Sequence, residues 1–450
     1  MRIKIREIAY DWGKSMLVVL SNTVIMVPFL LFLSLNDGIT ERSVLPFALY
    51  YTCRILGVFL VRAIKNTISS LELLILSLYT GLAGSVFAFI GPLNSWLYLP
   101  AGVLIGLSAS WLPTATVTLN HFQPNTEKKT SYPLLLLALI ALFAGLTLSG
   151  TLGLSLSFGL YILFYAIALG YAYEAVGKQV LTNRMKPEAA LYLSKKDLFI
   201  FTGLCLLLIL LRTGRLLSLS SALAIGVSLL GFSFFLVFLI YKTRKEYRNY
   251  QIPLSLNILT FLNGAIGNFL FLFGSLYVIN IFGKGSENLL LYLPYALGMV
   301  IALATYKKIT QLVPHMDNFI LLGLVLGLLM TLVPSALSFS FFLLSYGHFL
   351  LNKWLNNQYF MALHIPEDHR ILLKNTTQKK GSLIHQFFLI IFLLFLTEKQ
   401  NNSKTFFLQL INPQSSHLSA AHIFYGLALL SIGGFLILIV SYFYLKRRKI

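Results

Sequence analysis

The chain contains 450 residues, of which 57% are hydrophobic and only 11% are charged, and its formal net charge is +20. This composition excludes a soluble globular protein of this size, because a water-exposed surface needs many more polar residues. Apolar runs of about 20 residues recur along the whole length, and each is long enough to cross a bilayer as a helix. The sequence therefore predicts an all-α polytopic membrane protein and excludes a β-barrel, whose strands alternate in polarity.

In chain order, the apolar runs predict fourteen transmembrane helices. They cover residues 15–35, 44–62, 69–91, 95–118, 132–150, 152–174, 198–212, 217–241, 254–282, 289–306, 317–335, 337–358, 376–397 and 421–445. The first run follows a basic segment but is too long for a signal peptide, so we interpret it as a retained span. The seventh and eighth runs and a basic tail separate two sets of six. This order predicts an amino-terminal six-helix half at 1–195, two linking helices with a basic loop at 196–253, and a carboxyl-terminal six-helix half at 254–450.

The basic residues support this arrangement, because Lys and Arg concentrate in the cytoplasmic segments of membrane proteins. With the amino terminus inside, most basic residues fall in inner segments, including Lys307, Lys308, Arg370 and Lys374. The outer segments hold only Arg42, Arg212, Arg215, Lys284, Lys399 and Lys404. The charge bias predicts an even number of helices with both termini cytoplasmic, and it explains the positive charge without a nucleic-acid partner.

Five stretches carry a resemblance to a known family. They are LSNTVIMVP at Leu20–Pro28, GVFLVRAIKN at Gly57–Asn66, the basic segment ending in Pro-Leu at Tyr241–Leu254, the stretch Tyr295–Gly327, and IPEDHRILLKNTTQKKGSLIHQ at Ile365–Gln386. In order and spacing these stretches resemble motifs of the fourteen-helix drug:proton antiporter branch of the major facilitator superfamily. The resemblance implies the major facilitator fold, with the helices arranged as 6+2+6, and alternating access to a central cavity.

The chain departs from this family at the positions that the resemblance links to coupling and gating. Ser21 and Asn22 stand where the family has an acid in its first span, and Val61 stands where an Asp is expected. Gly102 replaces an expected Arg in the fourth span, and Leu146 lies near the expected Pro of the fifth. The resemblance therefore implies a preserved scaffold that lacks the usual residues for proton coupling.

Polar and charged residues inside the predicted spans are candidates for contact with a cargo, because such groups are costly in hydrocarbon. The candidates are Asn22, Arg54, Asn263, Asn268, His348, Lys353 and His385. Each has a structural alternative: the amides can bond neighbouring helices, the histidines can be packed, and Arg54 and Lys353 can snorkel to the inner surface. Arg54, His348 and Lys353, with no nearby acid, indicate an anionic or amphipathic cargo.

A second set of residues occupies the loops that close the inner gate in the resembled family. These gate-loop candidates are Gly57, Arg62 and Lys65 after the second span, and Lys307 and Lys308 at the corresponding position of the other half. The alternative is that the charges only mark the cytoplasmic surface.

The sequence contains no catalytic signature, no P-loop and no metal-ligand spacing, so we expect no enzymatic activity, no metal and no cofactor. The resulting prediction is a transporter of the bacterial plasma (inner) membrane that exports an amphipathic small molecule or drug. Alternatives are a facilitator or flippase for an anionic lipid or lipid-linked compound, and a scaffold or sensor without transport. Expected partners are the lipid bilayer and the cargo. A membrane-fusion adaptor and an outer-membrane channel are further candidates.

Overall fold

The computed structural model describes most of the chain. It covers residues 2–35, 41–65, 68–122, 137–180 apart from 139, 143 and 146–149, 192–216, 226–236, 241, 252–399, 404–411 and 420–447. These residues belong to two compact units, Met1–Ser220 and Ser221–Ile450, and nearly all of them are helical.

The first unit consists of helices and one pair of very short strands. The helices are α1 (Arg2–Thr23), α2 (Val27–Ser34), α3 (Glu41–Ala63), α4 (Ser70–Ile90), α5 (Tyr98–Phe122), α6 (Gly150–Val180) and α7 (Lys195–Leu216). A capping box starts α4, because the Ser69 hydroxyl accepts from the backbone of Glu72 while the Glu72 carboxylate accepts from the backbone of Ser69. Strands β1 (Ile64–Lys65) and β2 (Tyr192–Leu193) pair antiparallel and connect the end of α3 to the start of α7.

The first predicted span is broken into two helices. α1 and α2 meet at a bend of 54°. Pro28, in the first turn of α2, has no N–H to donate to the carbonyl of Val24, so this carbonyl needs another partner. The hydroxyl of Tyr50 on α3 donates to the carbonyls of Val24 at 2.8 Å and Ile25 at 3.0 Å. A neighbouring helix therefore satisfies the backbone at the break.

The second unit is also built from helices. They are α8 (Gly226–Leu236), α9 (Leu254–Asn268), α10 (Gly274–Phe282), α11 (Leu293–Leu312), α12 (Met316–Met330), α13 (Leu337–Phe360), α14 (Glu367–Lys399), α15 (Lys404–Ile411) and α16 (Ala421–Arg447). A π-helical turn at Phe269–Phe273 joins α9 and α10 into one continuous helix, and a second π-helical turn at Asn288–Tyr292 precedes α11. Helix α9 packs against α14, α13 and α16.

The described helices confirm the predicted fold class. Nine of them are long and apolar enough to cross a bilayer, or ten when α1 and α2 count as one bent span. Three shorter apolar helices, Asp197–Leu210, Gly226–Leu236 and Met316–Met330, coincide with three further predicted spans. The predicted span at 132–150 and the basic tail at 242–251 lie largely outside the described residues. The chain is a multi-pass membrane protein, while the count of fourteen helices and the three-part division stay predictions.

An ion pair joins two helices of the second unit. Asp317, in the first turn of α12, accepts hydrogen bonds from Tyr442 and from Lys446, both at 2.5 Å, and both donors lie in the last turns of α16. The carboxylate also lies at a helix amino terminus, where negative charge is favourable.

We predict that Asp317→Asn lowers the free energy of unfolding by about 1 kcal/mol, since the Lys446 side chain is 40% exposed and solvent screens the pair. The melting temperature in detergent measures the effect. Lys446→Gln should cause a similar loss, and the double variant should lose less than the sum. Strict additivity would show that the two charges do not interact.

Candidate functional site

Three helices of the second unit bring buried and half-buried polar side chains together. We call this set the polar column. Its members are Asn263 and Asn268 on α9, His348, Asn352 and Asn356 on α13, and Lys374 and His385 on α14. His348, Asn352 and Asn356 recur at every fourth position, so they share one face of α13. Lys374 and His385 are separated by about three helical turns and share one face of α14.

Lys374 is the buried cation of the polar column, with 2% of its surface exposed. Its Nζ donates to the amide Oδ1 of Asn352 and, at 2.8 Å, to the Oδ1 of Asn356. Among the described residues, no carboxylate forms an ion pair with it. Two neutral amides therefore bind the Lys374 amine inside the helix bundle, and in the described structure no counter-charge accompanies the protonated form.

The sequence predicts that Lys374 lies in an inner segment, whereas the structure places it inside a helix. The predicted span begins at residue 376, but α14 begins at Glu367, so Lys374 lies two turns inside it. A signal was present in the sequence. Asn352 and Asn356 are polar, four residues apart and inside a predicted span, which requires a polar partner on a neighbouring helix.

Asn263 and His348 form the next part of the polar column. Asn263 is fully buried, and within the described residues neither its amide oxygen nor its amide nitrogen has a hydrogen-bond partner. The His348 ring lies against the backbone of Asn263 and against Gly267, and its Nδ1 also lacks a described partner. Unsatisfied buried polar atoms cost about 1–3 kcal/mol each, so a ligand that bonded them would gain affinity.

Asn268 and His385 form the other end of the polar column. The Asn268 amide nitrogen bonds the His385 Nδ1 at 2.9 Å. The His385 ring stacks on Phe435, with centroids 5.2 Å apart, and meets the edge of Phe269 at 5.9 Å. This end joins α9 to α14 through a helix–helix hydrogen bond, which is the structural alternative given above for Asn268.

Arg54 lies in the first unit, enclosed by protein. It is 6% exposed, and its Nη1 donates to the Ile25 carbonyl at 3.0 Å, at the break between α1 and α2. Its guanidinium carbon lies 5.4 Å from the Phe29 ring centroid and 5.1 Å from that of Tyr51. The side chain therefore supports the broken helix within an aromatic cage and does not extend to the surface.

Two other cargo candidates lie away from these groups. Asn22 is exposed, and its amide donates to the Val18 carbonyl of its own helix at 2.7 Å. The ammonium of Lys353 lies 4.8 Å from the centroid of the Tyr306 ring, so it faces α11 and not the polar column. Among the described residues, no cluster of His, Cys, Asp and Glu is suited to a metal ion.

The gate-loop candidates are spread over helix interiors and ends. Gly57 lies inside α3, where its carbonyl accepts from Trp111 Nε1 of α5 at 2.8 Å. Arg62 is in the last turn of α3, and Lys65 is in β1, with its side chain outside the described part of the chain. In the second unit, Lys307 and Lys308 are exposed near the end of α11. Their gate role stays a prediction.

The chain is similar to solved structures of membrane transporters over nearly its whole length. A peptide transporter POT in complex with sulfate is 14% identical, with 97% of this chain and 94% of that chain covered and a TM-score of 0.54. A POT family transporter in complex with a thioalcohol-conjugated peptide is 14% identical, with 98% and 96% covered and a TM-score of 0.54. A bacterial homologue of the human drug peptide transporters is 12% identical, with 98% of each chain covered and a TM-score of 0.53.

No protein-family model and no curated protein matches the sequence. At these identities, the likeness to solved transporters concerns the fold, and the drug:proton antiporter branch stays a prediction. The described part of the chain is almost entirely helical, and the chain is a membrane protein with the major facilitator fold.

Proposed function

We propose that the chain is a transporter, without enzymatic activity, that exports an amphipathic small molecule by alternating access. One observation carries this proposal: the polar column lies inside a transporter-type helix bundle and contains buried polar atoms without a described partner. Such atoms are unfavourable in a membrane helix unless they face protein or a water-filled cavity. A polar group of a cargo would satisfy them.

The surroundings of the polar column fit an amphipathic cargo. Phe269 and Phe435 flank His385, so aromatic surface adjoins polar atoms at one end of the column. A cargo with an apolar body and a polar group matches both kinds of side chain. In this proposal the transporter lies in a bacterial plasma membrane with cytoplasmic termini. Its partners are the bilayer, the cargo and, for export across two membranes, a membrane-fusion adaptor and an outer-membrane channel.

A second candidate function is a facilitator or flippase for an anionic lipid or lipid-linked compound. The buried cation Lys374 favours it, because a headgroup phosphate would neutralise that charge. The two functions differ in their dependence on a proton gradient and in the molecule that moves.

Purified protein in liposomes tests these functions. Efflux of an amphipathic fluorescent dye that stops when the pH gradient is collapsed would support proton-coupled export. Dye movement that ignores the gradient would support facilitated transport, and movement of a labelled anionic lipid would support the flippase. A complete absence of flux for every compound class would contradict transport and leave a scaffold or sensor.

Two asparagines of α13 offer a matched test of the polar column. We predict that Asn352→Leu reduces flux about tenfold, because it removes a hydrogen bond to a charged group, which is typically worth about 1.5–3 kcal/mol. Asn357→Leu changes the same residue type on the same helix, but Asn357 donates to the Tyr306 hydroxyl at 2.9 Å, outside the column. Flux and membrane insertion of both variants are measured. If Asn352→Leu and Asn357→Leu show equal flux, the polar column does not take part in transport.

A further inference from the structure

We infer that Lys374 is the centre of an anion-binding site that takes a carboxylate, sulfonate or phosphate group. The inference rests on the proposed function and specifies the chemical class of the molecule that is moved. The site consists of Lys374, its partners Asn352 and Asn356, and the adjacent side chains of His348 and Asn263.

In the described structure, Lys374 has fewer hydrogen-bond acceptors than its protonated amine has donors. An ammonium group has three N–H donors, and the structure gives Lys374 two acceptors, the amide oxygens of Asn352 and Asn356. Amide oxygens accept hydrogen bonds but carry no formal charge, so they solvate the protonated amine of Lys374 without neutralising it. In a low-dielectric interior an uncompensated charge attracts an opposite one strongly.

Two neighbouring side chains, Asn263 and His348, also carry polar atoms without a described partner. Asn263 is fully buried with an amide nitrogen that has no described acceptor, and the Nδ1 of His348 has no described partner. Both side chains lie where α9 meets α13, along the same face of α13 that carries Asn352 and Asn356. The site thus offers a cation and a buried amide nitrogen able to donate, and no described acid. This set favours an anion over a cation or a purely apolar group.

Arg370 is a cation of the same helix whose role is structural. Arg370, one turn earlier on α14, donates to the carbonyls of Phe360 at 2.9 Å, Ile365 at 2.8 Å and Leu363 at 3.4 Å. These carbonyls lie at and just beyond the end of α13, where the helix dipole is negative and a cation is stabilised. Lys374 bonds no helix-terminal carbonyl in the described structure, so capping does not explain its burial.

Binding of matched probes to the full chain in detergent tests the site. The probes are 2-naphthoate, 2-naphthalenesulfonate and 2-naphthyl phosphate, with 2-naphthamide as the neutral reference, and the affinity is read from the rise of the melting temperature with ligand concentration. We expect wild type to bind at least one anion about tenfold more tightly than the amide. Lys374→Arg should retain the preference, and Lys374→Gln should abolish it.

Two further variants keep the test decisive. Lys399→Gln removes a charge from the exposed end of the same helix and should leave the preference unchanged. Lys374→Met is a second neutral variant for the event that Lys374→Gln does not fold, because a buried charge is often replaced by an apolar residue of similar size without loss of stability. A wild-type protein that prefers none of the three anions, or a neutral Lys374 variant that keeps the preference, would overturn the inference.

The anion can belong to a soluble cargo or to a lipid headgroup, and a competition experiment distinguishes them. The protein is placed in nanodiscs of phosphatidylcholine with or without phosphatidic acid. Displacement of the bound naphthyl anion by phosphatidic acid identifies a headgroup site, and its absence identifies a site for a soluble anion. Lys374-dependent anion binding without any flux would sustain the site and contradict transport. Flux of amide and anion alike, unchanged in Lys374→Gln, would sustain transport and contradict the site.

Discussion

Gly381→Leu should lower the stability of the second unit by about 3 kcal/mol, because the added side chain forces α14 away from α9. A Cβ at Gly381 would overlap the Phe261 carbonyl oxygen, and a Cβ at Gly264 would overlap the Gln378 carbonyl oxygen. Both obstacles are backbone atoms of the facing helix, so no side-chain rotation relieves the clash. Small residues permit this kind of close approach between membrane helices.

The melting temperature in detergent and the fraction of monodisperse protein measure this effect. Gly381→Ala should give a smaller loss of the same kind, and Gly434→Leu, at a position with open space around it, should change little. Flux should fall together with stability in Gly381→Leu, since α9 and α14 carry most of the polar column. A Gly381→Leu protein as stable as Gly434→Leu would show that the two helices are not in close backbone contact.

The second large effect is expected at Arg54. Arg54→Gln should lower the free energy of unfolding by about 2–3 kcal/mol, because it removes a charged donor from a buried carbonyl and a cation from an aromatic cage. Arg54→Lys keeps the charge but not the planar guanidinium, so it should recover only part of the loss.

Tyr50→Phe provides the comparison for Arg54. It removes only a neutral hydroxyl from the Val24 and Ile25 carbonyls, so it should cost about 1 kcal/mol. Thermal unfolding of the variants, followed by dye flux in liposomes, separates a loss of stability from a loss of transport. A stable Arg54→Gln protein with normal flux would show that the break between α1 and α2 does not require the guanidinium.

The fold class could be predicted because it depends on run length, and the length of an apolar run is a local property of the sequence. The environment of Lys374 could not, because basic residues in a polar stretch normally indicate the cytoplasmic surface. Its burial depends on two amides of another helix, more than 15 residues away in the chain. Arg54 shows the same limit. Its position within a span is visible in the sequence, but its partner, the Ile25 carbonyl, is exposed only by the bend after α1.

The π-helical turn at Phe269–Phe273 has a consequence for how this chain can be compared with others. Such a turn acts as a one-residue insertion, which changes the angular phase of the helix by about 100°. Before it, Asn263 lies against His348 of α13 and Asn268 bonds His385 of α14, while Asn280 after it donates to the Leu410 carbonyl of α15 at 2.9 Å. A homologue without the insertion would keep both contact surfaces only if it were one residue shorter there. An alignment without a gap in this stretch would therefore pair the wrong residues in the part of the helix after Phe273.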